Sequence, residues 1–166
     1  IQRYFVDAVD IWQRAVWPDC LYVPLGDDVS GNLIVFNFSD SSNPHLLIAG
    51  KTGSGKSATL KTSLRGRCRQ SGPDKLQMNL VDPKAADLLI FEESPHLVGG
   101  IGWDAEDASR ALEELVEEMQ RRSQIFKEHD RATNLQQFNE RVSAENRLPW
   151  RLVVLDEYAD LTSDKE

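Results

Sequence analysis

The sequence predicts an α/β fold, a three-layer sandwich on a mainly parallel sheet. Three observations predict it. An apolar run, Leu46 to Ala49, leads into Gly50-x-x-x-x-Gly55-Lys56-Ser57 and then into a helical pattern. That is the strand, loop and helix of a phosphate-binding loop. A second apolar run, Leu152 to Leu155, ends in Asp156-Glu157. Between the two, short apolar runs alternate with longer segments of helical periodicity.

In chain order, Ile1, Phe5, Ala8, Val9, Trp12 and Val16 share a helical face, which Trp17-Pro18 ends. Trp12 and Trp17 read as packing anchors. Residues 20–25 read as extended, and Leu33 to Phe38 as a strand, with turn signals at Gly26-Asp27-Asp28 and Ser30-Gly31-Asn32. After the loop, Ala58 to Leu64 starts a helix whose dipole favours anions. Ser71-Gly72-Pro73-Asp74 breaks the pattern. Lys75 to Asp82 reads as a second core strand. Asp82-Pro83-Lys84 at its carboxyl end reads either as part of a ligand crevice or as a helix cap followed by proline. A short helix is expected over residues 85–91.

Asp104, with Asp107 three residues on, is expected to cap a long helix. Its apolar face is Ala108, Leu112, Leu115, Val116, Met119 and Phe126. Glu117–Arg121 and Glu118–Arg122 are expected as outward-facing pairs. Thr133 to Asn146 reads as a further helix burying Leu135, Phe138 and Val142. Arg151 to Glu157 closes the pattern as a strand running into two carboxylates. The strands near 46–49, 76–81 and 151–155 are expected in one sheet.

The chemistry explains the residue types. Glycines let the loop wrap phosphates with backbone N–H groups. Lys56 supplies a point charge for the β- and γ-phosphates and Ser57 a hydroxyl for magnesium. The binding set is therefore Gly50, Lys51, Thr52, Gly53, Ser54, Gly55, Lys56, Ser57 and Ala58, for a nucleoside triphosphate with Mg2+; that the nucleotide is ATP is implied by the family resemblance given below. Asp156 is the candidate magnesium ligand, with Ser57. Glu157 is the candidate catalytic carboxylate, orienting the attacking water alongside Lys56. A nucleotide binder that only switches has no use for that second carboxylate.

Composition bounds the rest. A chain of 166 residues, 40% apolar and 28% charged, is long enough for a real core. Its net charge of −8 argues against a wholesale basic surface. Residues 50–90 nevertheless carry 8 Lys/Arg against 3 Asp/Glu. This positive block includes Arg65, Arg67 and Arg69, which fit either a helix end that complements the dipole or a nucleic-acid contact. Cys20 and Cys68 lack metal-ligand spacing and read as reduced thiols. His45, His96 and His129 are isolated, and His45 reads as structural. There is no apolar run of transmembrane length and no signal-peptide layout, so the expected location is cytoplasmic. A tether to a membrane or another domain outside this stretch is compatible with that.

Several motifs together resemble the motor domains of the FtsK/SpoIIIE family. They are Leu25 to Gly31, Pro44 to Gly50, Val81-Asp82-Pro83-Lys84, Pro95-His96-Leu97, Glu118 to Arg122, and Leu148 to Leu161 with its Walker B pattern. The resemblance covers about residues 20–161. It implies a RecA-like P-loop NTPase domain over 20–166, behind an N-terminal helix over 1–19. It also implies a ring, a hexamer in the full protein, that moves double-stranded DNA using ATP. Family members continue with more strands, a sensor and an arginine finger, one strand lying between the phosphate-loop and Walker B strands. The expectation is thus for an incomplete sheet and a weak, poorly soluble ATPase. A type VII protein-export ATPase is an alternative, though Asp82-Pro83-Lys84 looks like the DNA branch. A regulatory module without turnover is another.

Overall fold

The computed structural model describes residues 12–14, 17, 19–40, 42, 44–51, 53–129 and 132–157. The helix expected over 1–16 lies outside these residues, apart from Trp12, Gln13 and Arg14. The chain divides into two compact units, Ile1–Gly72 and Pro73–Glu166.

In the first unit, β1 (Tyr22–Asp27) and β2 (Leu33–Asn37) form an antiparallel hairpin. Asp28 organises its turn by accepting from the N–H groups of Ser30 and Asn32, both at 2.8 Å. Helix α1 (Lys56–Gln70) packs on β1 and buries Ser63, Leu64, Gly66 and Arg67. The Trp12 indole lies against Gly66, where a Cβ would collide with it. The same ring meets Trp17 edge-on at 5.4 Å, which bears out the anchoring role of the two tryptophans. Cys20 and Cys68 are free thiols, and burial pushes the Cys20 thiol up from its usual range.

Arg67 corrects the sequence reading. It is only 2% exposed, and its guanidinium lies 4.4 Å from the Phe38 ring centroid. Burial pulls its pKa down to about 10. A cation on an aromatic face in the core has given up the water that a phosphate contact would replace. Of the three arginines weighed for nucleic acid, only Arg65 and Arg69 are exposed.

The expected strand at 46–49 is also corrected. These residues form no ladder among the described residues, and Leu47 is 88% exposed. A strand is defined by its neighbours; without one, its N–H and C=O groups turn to solvent.

The second unit is built on a parallel sheet of order β4-β3-β5, comprising β3 (Leu76–Val81), β4 (Leu97–Gly102) and β5 (Trp150–Leu155). The strands at 76–81 and 151–155 therefore share a sheet as expected. β3 is central and buries Leu76, Met78, Asn79, Leu80 and Val81. Its sequence alternates Leu76, Met78 and Leu80 with Gln77 and Asn79, yet every residue except Gln77 is buried. Asn79 is its one polar residue in the core, and it spans both neighbours. It donates to Val98 O at 3.3 Å and accepts from Arg151 Nη1 at 3.2 Å. β4 was not expected as a strand. Its Gly99 and Gly100 have φ of 79° and 82°, and the register against β3 shifts between Met78 and Leu80.

Helix α2 (Ala105–Glu128) packs on β3 and β4. Its start is as expected: Asp104 accepts from Asp107 N at 2.8 Å, and Asp107 accepts in return from Trp103 N at 2.8 Å. Its rotation is not. Ala108 is buried, while Leu112, Val116 and Met119 are exposed. Glu118, expected to face outward, is half-buried and clamped by Arg121 Nε and Arg122 Nε, both at 2.6 Å. These guanidinium bonds hold its pKa down to about 2. Arg122 also donates to Pro149 O at 2.7 Å, tying the helix to the approach of β5. Glu118 and Arg122 are thereby half-buried, while Glu113, Glu114, Glu117 and Arg121 stay exposed, the last two as expected.

Helix α3 (Leu135–Arg141) is shorter than the expected 133–146. The side chain of Asn139 exchanges two hydrogen bonds with the Leu148 backbone, each 2.8 Å, and Val142 is already extended. Leu135 and Phe138 are buried with Ala132, and Val142 packs against them half-buried.

Candidate functional site

The candidate residues fall on both units. Gly50 to Ala58 lie on the first, without Thr52, which is outside the described residues. Gly53 and Gly55 have φ of 77° and 97°, a backbone that L side chains rarely adopt. Ser54 N donates to Lys51 O at 3.0 Å, closing the turn. Gly55 is the N-cap of α1. No side chain caps this end, and the first turn holds no acidic residue. The leading N–H groups and the positive dipole end therefore face no competing anion of the helix itself. Lys51, Gly53, Ser54, Gly55 and Ala58 are exposed, and Lys56 and Ser57 are half-buried. His45, expected to be structural, is exposed, whereas His96 is a core histidine with Nδ1 2.8 Å from Leu76 O.

On the second unit, parallel register brings the carboxyl ends of β3 and β5 level, with Val81 opposite Leu155. Asp156 N donates to Val81 O at 2.9 Å, and Asp82 N to Gly102 O at 2.9 Å. Ligands of open α/β sheets bind at such carboxyl ends. Asp156 is buried, and its Oδ1 accepts from Glu157 N at 2.9 Å.

Asp82 is 1% exposed. Its Oδ2 accepts from the N–H groups of Ala86, Asp87 and Leu88 at 3.1, 2.9 and 2.8 Å. The helix expected over 85–91 reduces to one 3₁₀ turn at Leu89–Phe91. The aspartate gathers the leading N–H groups that a helix start leaves unpaired, as a cap does, but Ala85 sits at φ 50°, outside helical backbone. The turn carries Lys84 to the β5 tip, where its Nζ lies 3.4 Å from Glu157 Oε2. Sequence reasoning offered Asp82-Pro83-Lys84 as part of a crevice or as a cap followed by proline; Asp82 gathers N–H groups as a cap does, and the Lys84–Glu157 pairing was missed. Asp82→Ala is expected to destabilise the second unit by about 2–4 kcal/mol, because Leu88 N is left unpaired in a buried position and two more donors lose a charged acceptor. Urea denaturation followed by fluorescence reads it.

Among the described residues, no three Asp, Glu, His or Cys side chains converge as a metal cage. Magnesium seldom uses one. It takes one or two protein oxygens and completes its shell with water and phosphate. The Asp156 carboxylate, fixed at a strand tip, is a hard oxygen donor of the kind such an ion takes.

A family model described as FtsK/SpoIIIE matches residues 9–162. The chain belongs to the FtsK/SpoIIIE family. Among its FtsK/SpoIIIE relatives, a DNA translocase FtsK of Lactiplantibacillus plantarum is 40% identical over 149 residues, covering 85% of this chain and 18% of that protein. The cytoplasmic domain of the Thermomonospora curvata type VII secretion ATPase EccC superposes with a TM-score of 0.73 at 27% identity, over 95% of this chain and 20% of that one. The pCW3 conjugation coupling protein TcpA, in its monomer form with ATPγS, gives 0.72 at 25% identity, over 90% and 40%. The fold is thus that of P-loop ATPase domains, and the chain spans less than a fifth of the translocase it matches. No helix among the described residues is long and apolar enough to cross a membrane.

Proposed function

We propose that this chain is nucleotide-binding machinery of a DNA-translocating ATPase, which binds Mg-ATP and couples its hydrolysis to movement along double-stranded DNA within a ring. The observation that carries the reading is the β5 tip. Buried Asp156 is followed by Glu157 at the level where β3 also ends, in a chain that also holds a complete phosphate-binding loop. Gly50 to Ala58 cradle the phosphates, Lys56 neutralises them, and Ser57 with Asp156 holds the magnesium. The bound ion would spread the charge of the transferring phosphoryl group. Glu157 orients the water. The exposed Arg65 and Arg69 on α1 supply positive charge for a phosphate backbone. The surrounding protein is a homo-oligomeric ring working in the cytoplasm, with any membrane tether outside this stretch.

A second reading, a protein-export ATPase, draws on the EccC likeness. Steady-state ATP hydrolysis separates the two. Double-stranded DNA is expected to stimulate turnover several-fold, with the stimulation falling as salt rises. Stimulation by unfolded polypeptide and none by DNA would favour export. Tight ATP binding with no turnover on any polymer would leave a regulatory module.

A further inference from the structure

We infer that Lys84 is a positioning residue for Glu157, holding that carboxylate in the orientation from which it directs water. This rests on the reading of Glu157 given above. The ion pair is 3.4 Å long, and its side chains are 56% and 32% exposed. Such a solvated pair adds little stability, yet both ends are fixed with unusual care. On the lysine side, Ala85 N donates to Asp82 O at 2.9 Å, closing a turn with Pro83 and Lys84 at its centre. Asp82 then gathers three further N–H groups on Oδ2, while its Oδ1 is buried with no hydrogen-bond partner among the described residues. On the glutamate side, Glu157 N is held by Asp156 Oδ1, and Asp156 N by Val81 O.

The backbone is strained at both ends. Ala85 and Glu157 each sit at φ 50°, and they are the only non-glycine residues with positive φ among the described residues. Residues stay in that region when their surroundings hold them there, and such strain gathers at working sites. Two strained residues and a buried orphan oxygen, flanking one weak ion pair, mark a placed charge rather than a stabilising one. Glu118 is the contrast: two guanidiniums clamp it along a regular helix, at no backbone strain. The lysine's compact charge on a flexible stem suits a carboxylate that must be held and still move.

The test uses protein labelled with ¹³C at glutamate carboxyl carbons, with the Glu157 resonance assigned by its loss in Glu157→Gln. In nucleotide-free protein, Lys84→Met is expected to shift that resonance, and Lys84→Arg to bring it back towards its original position. In the natural full-length protein, Lys84→Met is expected to lower kcat roughly ten- to hundredfold, the scale of a misplaced reacting group. KM should stay within about twofold, as for an interaction realised only in the transition state, and Lys84→Arg should recover part of kcat. Melting curves confirm that each variant folds, and Lys84→Gln replaces Lys84→Met if the latter does not. An unmoved resonance, or a raised KM with kcat unchanged, overturns the assignment. Parent protein that binds ATP and never hydrolyses it sinks the functional reading instead, and the resonance still decides what Lys84 does.

Discussion

Glu157→Gln is expected to bind ATP as tightly as the parent chain and to hydrolyse it about 10²–10⁴-fold more slowly, the range for losing a positioned acid–base group. Glutamine has the same length, and the left-handed backbone at this position is no harder for it than for glutamate. It cannot take a proton from water at neutral pH, and it gives Lys84 no charge to hold. Binding should be spared because the groups proposed to cradle the phosphates, backbone N–H donors and Lys56, are untouched by the substitution. A fluorescent ATP analogue measures affinity, and phosphate release measures turnover. Equal loss of both would show that Glu157 helps hold the nucleotide and does not orient water.

Local chemistry made much of this legible in the sequence. The positive-φ glycines Gly53 and Gly55, the strand at 76–81, the Asp104 cap and the end of β5 before Asp156 were each legible in a few consecutive residues. What was not legible depends on distant partners. β4 contains Gly99, Gly100 and Gly102, and nothing local marks it as a strand until β3 pairs with Leu97, Ile101 and Gly102. Leu46 to Ala49 has strand composition, but no neighbouring strand defines it among the described residues. Arg67 looks like surface charge on α1, and only the Phe38 ring reveals it as core. On α2, Arg122 reaches Pro149, 27 residues away, and periodicity carries no trace of that bond. The same holds at the site. Asp156 and Glu157 announce themselves, whereas the pairing of Lys84 with Glu157 needs the β3–β5 register, which places two loops far apart in sequence side by side.

Lys56→Ala is expected to weaken ATP binding roughly 10- to 150-fold, which corresponds to losing one charge-assisted interaction of about 1.5–3 kcal/mol. Alanine is the best helix former, so α1 should start as before and the melting temperature should not fall. The N–H groups after Gly55 remain, and they should retain a weak affinity for phosphates through the dipole. If the lysine neutralises the β- and γ-phosphates as proposed, the loss should be large for ATP and small for a nucleoside without phosphates. Lys56→Arg should not restore full affinity, because a planar fork replaces a compact charge beside tightly turned backbone. Calorimetric titration with ATP, ADP and adenosine gives the series. If Lys56→Ala bound all three as the parent does, the nucleotide would have to lie away from Gly50 to Ser57. The loop would then be a glycine turn with no ligand, and the case for a motor would lose its first support.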